Sequence, residues 1–291
     1  MEYTYVKGRA KINFALDITG KRADGYHEVS TVMQSLALYD GLYIKKIRKP
    51  DYFVKVVSNI PWLPGDERNL AYRAAKYLQN RFAIKEGIFI EINKAIPASA
   101  GLAGGSVDCA AALVGIRNLF GLPLSNDDLC RLSVQFGADV PFCVMGGCAH
   151  ATGIGEVLTP LPPVPHMYIV LVRPPVIVST TDVFRDFNLA AVANRPDIEQ
   201  IIHSIRAGDL KGICDSMGNV LESVTAKKYP VIDELKGFLA KRDALSAMMT
   251  GSGPTVFGIF AGRAAAVNAA RALKAEYPQF DEIFVTKPYT P

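Results

Sequence analysis

Several short segments of the chain alternate apolar and polar residues, the pattern typical of β-strands. Ile88, Ile90 and Ile92 place three apolar side chains on one face of such a segment, which Pro97 is expected to stop. A purely apolar run, MYIVLV, predicts a buried strand. Together these patterns predict strands at residues 3–19, 87–97, 167–172 and 281–286, two strands around a glycine turn within 244–260, and a loop at 20–27.

Apolar residues that recur every three or four positions predict helices. Leu70, Ala74 and Leu78 show this spacing in a segment rich in good helix formers. Ser125 stands three residues before Asp128, which resembles the capping box that begins many helices. Helices are therefore predicted at residues 68–82, 106–121, 125–137, 198–208, 231–243 and 262–277.

A proline cluster, TPLPPVP at residues 159–165, divides the chain. Because 291 residues exceed the usual size of a single hydrophobic core, two domains are expected. We place the boundary in the cluster, which gives domains of residues 1–160 and 161–291. The second half mixes helices and strands in the order of an α+β fold.

Composition and charge narrow the class of partner. With 49% hydrophobic and 21% charged residues, the chain has the composition of an ordinary folded globular protein. Its net charge of +4 comes from scattered lysines and arginines, which favours a small anionic substrate and no nucleic acid. The densest basic segment, residues 47–55, is interpreted as a strand end and a turn.

Cysteine usage and hydropathy predict a reduced, cytoplasmic protein. The five cysteines are odd in number and lack CxxC spacing. No segment resembles a signal peptide, and no apolar run reaches the roughly 18 residues of a membrane span, so no membrane partner is expected. A monomer and a homodimer both stay open.

The segment PASAGLAGGSV, residues 97–107, joins a predicted strand to a predicted helix. The backbone N–H groups at a helix N-terminus attract anions, and Gly101, Gly104 and Gly105 would leave them uncovered. Ser106 adds a hydroxyl for a phosphate oxygen or a metal-bound water. The alternative is a glycine-rich turn without a ligand. The segment matches neither the P-loop, which needs a lysine, nor the dinucleotide-binding fingerprint.

Three segments resemble, in order, the three motifs of the GHMP small-molecule kinases. AKINFALDI (residues 10–18) is similar to the first, PASAGLAGGSVDCAAA (97–112) to the second and TGSGPTVFGIF (250–260) to the third. GKRADGYHEV (20–29) and GADVPFC (137–143) resemble segments of those members that act on a substrate with a cytidine diphosphate group. The resemblance covers essentially the whole chain.

The resemblance implies a two-domain α+β fold, with an N-terminal ribosomal-protein-like α/β domain, a C-terminal ferredoxin-like domain and an active site in the cleft. It implies transfer of a phosphoryl group from ATP, with Mg²⁺, to an alcohol of a small molecule that carries cytidine diphosphate. Two rivals stay open. One is a family member that acts on mevalonate, homoserine or a sugar, and the other is a catalytically silent nucleotide-binding relative.

The resemblance also implies which residues contact ATP, although Asn69 and Lys94 could equally be surface residues. The implied set is Asn69, Lys94, Pro97, Ala98, Ser99, Ala100, Gly101, Leu102, Ala103, Gly104, Gly105, Ser106 and Val107. Two positions depart from the family pattern, because Ala103 replaces a glycine and Val107 replaces a serine. We expect Ala103 to be tolerated only at negative φ. The hydroxyl lost at Val107 must come from Ser106.

By the same resemblance, Lys11 and Asp139 are the catalytic pair, and the turn at residues 250–254 folds beside the phosphates. Asp139 would orient the substrate hydroxyl and accept its proton, while Lys11 would stabilise the developing negative charge. Taken without the family, Asp139 is interpreted as a helix-capping or turn aspartate.

For the substrate, the resemblance implies that Tyr26 stacks on cytosine and that His27 contacts the edge of the base. Phe184 would lie on the opposite face, and Thr180 and Asn13 would line the rest of the pocket. Without the family resemblance, a tyrosine–histidine pair in a loop is more often a pair of exposed surface residues that bind no ligand. No protein-held metal site is expected.

Overall fold

The computed structural model describes residues 2–47, 52–192 and 194–291 and contains a mixture of helices and strands. The strands are β1 (Tyr3–Lys21), β2 (His27–Ile47), β3 (Val54–Ser58), β4 (Gly87–Asn93), β5 (Cys148–Thr152), β6 (Val157–Leu161), β7 (Tyr168–Val172), β8 (Gly218–Asn219), β9 (Ser246–Met249), β10 (Val256–Phe260) and β11 (Ile283–Thr286). The helices are α1 (Leu70–Arg81), α2 (Gly104–Phe120), α3 (Asn126–Ser133), α4 (Val140–Met145), α5 (Thr180–Asp186), α6 (Ile198–Ala207), α7 (Leu210–Ser216), α8 (Glu222–Lys228), α9 (Val231–Ala240) and α10 (Arg263–Glu276).

The chain forms two compact units that alternate along the sequence. The first unit comprises Met1–Ala10, Leu38–Ala98 and Ala103–Gly146, and the second comprises Lys11–Ala37, Ser99–Leu102 and Gly147–Pro291. The strands β1 and β2 each contribute residues to both units. The predicted division into residues 1–160 and 161–291 stays a prediction.

Strand pairing in the first unit follows the alternating sequence pattern. Residues 41–47 of β2 pair antiparallel with β4, and β3 pairs parallel with β4. Ile44, Ile88 and Ile90 are fully buried and share one hydrophobic core with α1 and α2. Burying each of these side chains contributes about 1.5–3 kcal/mol. This core fixes the position of α2, which the glycine loop enters.

Small side chains make α2 a buried helix. Ala110, Ala111 and Ala112 are at most 3% exposed and belong to the same core. Because alanine has so short a side chain, α1 can pack closely against this helix. Gly121 follows α2 in the left-handed conformation, with φ of 63°, which is the usual glycine ending of a helix.

A four-stranded antiparallel sheet in the order β11–β7–β10–β9 organises much of the second unit. The apolar run that predicted β7 is buried, as Val170 and Val172 show. Both residues share a core with Leu239 of α9 and Leu273 of α10. The glycine turn predicted between two strands joins β9 to β10, which pair antiparallel.

Several predicted element boundaries differ from the observed ones, among them the ends of β4 and α3. β4 ends at Asn93, because the N–H groups of Ala95 and Ile96 donate to the Asp40 carboxylate at 2.7 and 2.8 Å. These N–H groups are therefore unavailable to a neighbouring strand. α3 ends at Ser133, and a short 3₁₀ helix continues to Phe136.

The proline cluster includes part of a strand that the sequence pattern missed. Pro160 lies in β6, which pairs with β5. Proline has no N–H to donate, so it is tolerated in a strand at a sheet edge. The segment at 47–55 was predicted to be a strand end and a turn; β2 ends at Ile47 and β3 begins at Val54, and residues 48–51 lie outside the described residues.

The five cysteines are free thiols. None of the helices in the described ranges combines the length and the apolar character that crossing a membrane would require.

The capping box at the start of α3 yields a stability prediction. The Ser125 hydroxyl accepts from the N–H of Asp128 at 3.0 Å, and the Asp128 carboxylate accepts from the N–H of Ser125 at 2.8 Å. We expect Ser125→Ala to lower the free energy of unfolding by about 1 kcal/mol, because one N–H of the first turn loses its acceptor. Urea denaturation measures the change. Ser125→Thr, which keeps the hydroxyl, should recover most of the loss, and equal stability of all three proteins would contradict the assignment.

Candidate functional site

The glycine loop reaches α2 through alternating left-handed residues. Ser99, Gly101 and Ala103 have φ of 51°, 74° and 59°. The requirement of a negative φ at Ala103 was wrong, since this alanine takes the left-handed conformation that favours glycine. The tertiary structure holds the strained residue in place, and α2 starts at the next position.

The first turn of α2 has no side-chain cap. The N–H groups of Gly104, Gly105 and Ser106 lie in this turn, whose N–H groups have no acceptor within a helix. The first helical hydrogen bond runs from the Val107 N–H to the Ala103 carbonyl at 2.8 Å. Uncapped N–H groups at the positive end of a 17-residue helix are suited to bind a polyphosphate.

The two residues that follow the glycines have different surroundings. Val107 is fully buried, and its side chain faces Gly8 of β1, where no Cβ would fit. The side chain is therefore a packing group. Ser106 is half-buried, and its hydroxyl would lie 3.8 Å from a Cβ placed on Gly137. The Ser106 hydroxyl therefore faces the segment that leads to Asp139.

Asp139 is the residue before α4, and its backbone carbonyl accepts the N–H of Cys143 at 3.1 Å. The Asp139 side chain makes no capping hydrogen bond to the helix. The helix-capping interpretation of Asp139 is therefore wrong for its carboxylate, whereas the alternative interpretation as a turn aspartate is confirmed, since residues 138–139 form the turn before α4. The position of Asp139 at the start of α4 therefore does not depend on a capping bond from its carboxylate.

Asn69 is buried and the side chain of Lys94 is only 5% exposed, so their interpretation as surface residues is wrong. The Asn69 carboxamide accepts from the Ala71 N–H at 2.9 Å and donates to the Pro64 carbonyl at 2.8 Å, which caps α1. The Lys94 ammonium lies between Asp40 and Asp108, at 2.5 and 2.8 Å from their carboxylates. The sequence analysis did not identify either aspartate as a partner of Lys94, because neither stands near Lys94 in the sequence.

In the second unit the glycine loop packs directly on the turn of the third motif. A Cβ on Gly101 would overlap the carbonyl oxygen of Thr250, so only glycine fits this approach. The N–H of Lys11 donates to the carbonyl of Leu102 at 3.3 Å. The first, second and third motifs thus meet at these residues.

A buried polar network holds the first of these motifs. The Lys11 ammonium donates to the Asn13 carboxamide oxygen at 2.8 Å, and the Asn13 amide donates to Thr31 at 2.7 Å. The Thr250 hydroxyl accepts from the Asn13 N–H at 3.1 Å. Asn13 is 2% exposed, so it contributes here by orienting Lys11. Thr31 was not predicted from the sequence, because only strand pairing brings it to Asn13.

The residues assigned to the cytosine ring lie in the second unit as well. The rings of His27 and Phe184 are 5.5 Å apart between centroids, and Phe187 lies against His27 at 6.4 Å. Tyr26 is 60% exposed. Partial burial lowers the pKa of His27, and the charge of Lys21 lowers it further, so both effects favour the neutral imidazole.

Thr180 begins α5, and its hydroxyl lies 2.8 Å from that of Ser252 in the third-motif turn. This contact brings the start of α5 next to that turn. Among the described residues, no group of three or more histidine, cysteine or acidic side chains could hold a metal ion.

Two family models match the chain. The model of the "GHMP kinases N terminal domain" matches residues 69–147, and that of "GHMP kinases C terminal" matches residues 201–279. The chain therefore belongs to the GHMP kinases.

Relatives that span the whole length give more detail. A protein of Alkaliphilus oremlandii (strain OhILAs) named 4-diphosphocytidyl-2-C-methyl-D-erythritol kinase is 46% identical over 280 residues, which cover 96% of this chain and 95% of the relative. A protein of the same name from Lachnospira eligens is 43% identical over 291 residues and all of both chains. A crystal structure of 4-(cytidine 5'-diphospho)-2C-methyl-D-erythritol kinase matches with a TM-score of 0.83 and 29% identity over 99% of this chain and 100% of that one. The α+β GHMP kinase fold implied by the motifs is confirmed.

Ala103 provides a test of the loop geometry. Ala103→Gly should raise the free energy of unfolding by about 0.5–1 kcal/mol, because relief of left-handed strain exceeds the added freedom of the unfolded chain. Ala100→Gly is a matched control, since Ala100 is not among the positive-φ residues of the same loop, and it should destabilise the protein. Chemical denaturation measures both, and destabilisation by both changes would contradict the left-handed assignment.

Proposed function

We propose that this chain transfers the γ-phosphoryl group of ATP to the 2-hydroxyl of 4-diphosphocytidyl-2-C-methyl-D-erythritol, in the non-mevalonate route to isoprenoids. The observation that carries the proposal is the near full-length similarity, at 46% and 43% identity, to relatives named as the kinase of that compound. The uncapped start of α2 and the carboxylate of Asp139 support the same class of reaction.

The triphosphate of ATP would bind the N–H groups of Gly104, Gly105 and Ser106 at the start of α2. The rest of the segment from 97 to 107 would follow the phosphates, as the family pattern implies. Lys94 would support this site from the protein interior, because three protein groups already accept hydrogen bonds from its ammonium. These partners are the carboxylates of Asp40 and Asp108 and the carbonyl of Gly104 at 3.3 Å.

In the chemical step, the substrate hydroxyl oxygen forms a bond to the γ-phosphorus while the bond from that phosphorus to the bridging oxygen of ADP breaks. The Asp139 carboxylate would orient the hydroxyl and accept its proton late in the step. The Lys11 ammonium, oriented by Asn13, would stabilise the developing negative charge. The products are ADP and the 2-phosphate of the substrate.

Mg²⁺ would be held mainly by the phosphates of ATP, because the described residues contain no cluster of side chains that could bind a metal ion by itself. When bound, it would neutralise phosphate charge.

The cytosine would stack on the exposed ring of Tyr26, with His27 at its edge. The direct contact between His27 and Phe184 means that the base would bind beside this pair of rings. Thr180 would face the remainder of the substrate. A cytoplasmic location and a monomeric or homodimeric state stay predictions.

An enzymatic assay tests the proposed function. Purified protein with MgATP and 4-diphosphocytidyl-2-C-methyl-D-erythritol should release ADP and form a phosphomonoester that ³¹P NMR detects. The uridine analogue should react much more slowly, because a ring nitrogen and an exocyclic amine of cytosine are changed. Equal rates would favour a family member with another alcohol substrate, and ATP binding without ADP release would favour a catalytically silent relative.

Asp139→Asn tests the catalytic assignment. We expect kcat to fall by roughly 10²–10⁴-fold, because general-base assistance is typically worth that much, while the melting temperature changes by only a few degrees. Asp209→Asn is a matched control, since Asp209 also precedes a helix without capping it, and it should keep normal turnover. Near-normal turnover of Asp139→Asn would remove this carboxylate from the mechanism.

A further inference from the structure

Three charged side chains are buried together in the first unit. The Lys94 ammonium lies 2.5 Å from an Asp40 carboxylate oxygen and 2.8 Å from an Asp108 carboxylate oxygen. The three side chains are 5% exposed or less. The Lys94 ammonium also donates to the carbonyl of Gly104, the first residue of α2. The cluster therefore lies directly beneath the proposed polyphosphate site.

The formal charges of this cluster do not balance, because one lysine faces two aspartates. If both carboxyl groups were ionised, one cation would face two anions, and a net negative charge would stay buried. An uncompensated buried charge is costly, and a buried group usually binds or releases a proton to avoid it. A proton on one of the two carboxyl groups makes the cluster neutral.

The hydrogen bonds indicate which carboxyl group holds the proton. Asp40 accepts from three donors, the N–H groups of Ala95 and Ile96 and the Lys94 ammonium. Among the described residues, Lys94 is the donor to Asp108, the Asp40 carboxyl group lies within hydrogen-bond reach of it, and the second oxygen of Asp108, Oδ1, is buried without a hydrogen-bond partner. A carboxyl group with an unpartnered buried oxygen gains least from ionisation.

We propose that Asp108 holds a proton at neutral pH and thereby acts, through Lys94, as a positioning residue for the first turn of α2. The role toward the nucleotide rests on the proposed function, whereas the proton itself does not.

The electrostatics agree with this assignment. Burial raises the pKa of Asp108 to about 8, the charge of Lys94 opposes the rise, and Asp40 adds to it. Burial lowers the pKa of Lys94, but Asp108 and Asp40 raise it to a net increase, so the ammonium stays charged. Burial raises the pKa of the thiol of Cys109, the residue after Asp108, and the positive charge of Arg73 on the neighbouring α1 opposes this rise.

The proton has a signature in folding stability. The unfolded chain releases a proton from an aspartate near pH 4, whereas the folded protein keeps it on Asp108 to about pH 8. Between these values the native state binds more protons than the unfolded state, so the contribution of Asp108 to stability falls as pH rises. Above the folded pKa this contribution stops changing.

Asp108→Asn tests the proposal, because an amide has the shape of a protonated carboxyl group and cannot ionise. The urea midpoint of this variant, measured relative to that of the wild type, should rise steadily between pH 5 and pH 8. A protonated-carboxyl C=O band in the infrared spectrum of the wild type at pH 7 should disappear in the variant. Asp215→Asn makes the same substitution at an exposed position and should behave like the wild type in both measurements.

Two outcomes would overturn the proposal. One is a urea midpoint difference between the wild type and Asp108→Asn that does not change between pH 5 and pH 8. The other is loss of the infrared band in Asp40→Asn together with its persistence in Asp108→Asn, which would place the proton on Asp40.

Nucleotide binding provides the second readout. The affinity of the wild type for MgATP should fall several-fold between pH 7 and pH 9.5, because ionised Asp108 adds a negative charge close to the start of α2. Asp108→Asn should show no such fall, and an equal fall in both proteins would overturn the positioning role. A protein with the expected stability slope that fails to bind ATP at any pH would support the proton on Asp108 and contradict the proposed function.

Discussion

The N–H groups in the first turn of an α-helix have no acceptor within the helix. The structure around the second motif depends on the fact that α2 leaves these groups without a side-chain cap. The neighbouring helices α1 and α3 satisfy theirs with the side chains of Asn69 and Ser125. α2 starts with two glycines and no cap, behind a loop that turns through left-handed residues. Glycine at position 101 lets the Thr250 turn approach that loop, because a Cβ there would overlap the Thr250 carbonyl oxygen.

Burial of polar groups is the second constraint on this region. Lys11 and Asn13 in one network, and Lys94 with its two aspartates in another, are almost entirely removed from water. Such groups are retained in a folded protein when their hydrogen bonds are made, and both networks make most of them. The result is rigid placement of an ammonium group, which is what a site that stabilises negative charge requires.

The two departures from the family pattern have different physical consequences. Ala103 takes the left-handed conformation that favours glycine and accepts the strain, and α2 begins at the next residue. Val107 fills the space beside Gly8 and takes part in the core, which leaves Ser106 as the hydroxyl of the first turn. Neither change disturbs the uncapped start of the helix, and this fits the high similarity to relatives named as kinases.

Local patterns in the sequence determined the helices at α1, α3 and α10, the strands at β7 and β10, and the place of the glycine loop. Hydrophobic periods, apolar runs and clustered glycines act on neighbouring residues and need no knowledge of distant contacts. Motif order determined the family. The tertiary structure alone decided the partners of Lys94 and Asn13, since Asp40 is 54 residues from Lys94 and Thr250 is 237 residues from Asn13. It also decided the φ of Ala103 and the short strands β5, β6 and β8, because pairing and packing with remote segments can override what a few neighbouring residues prefer.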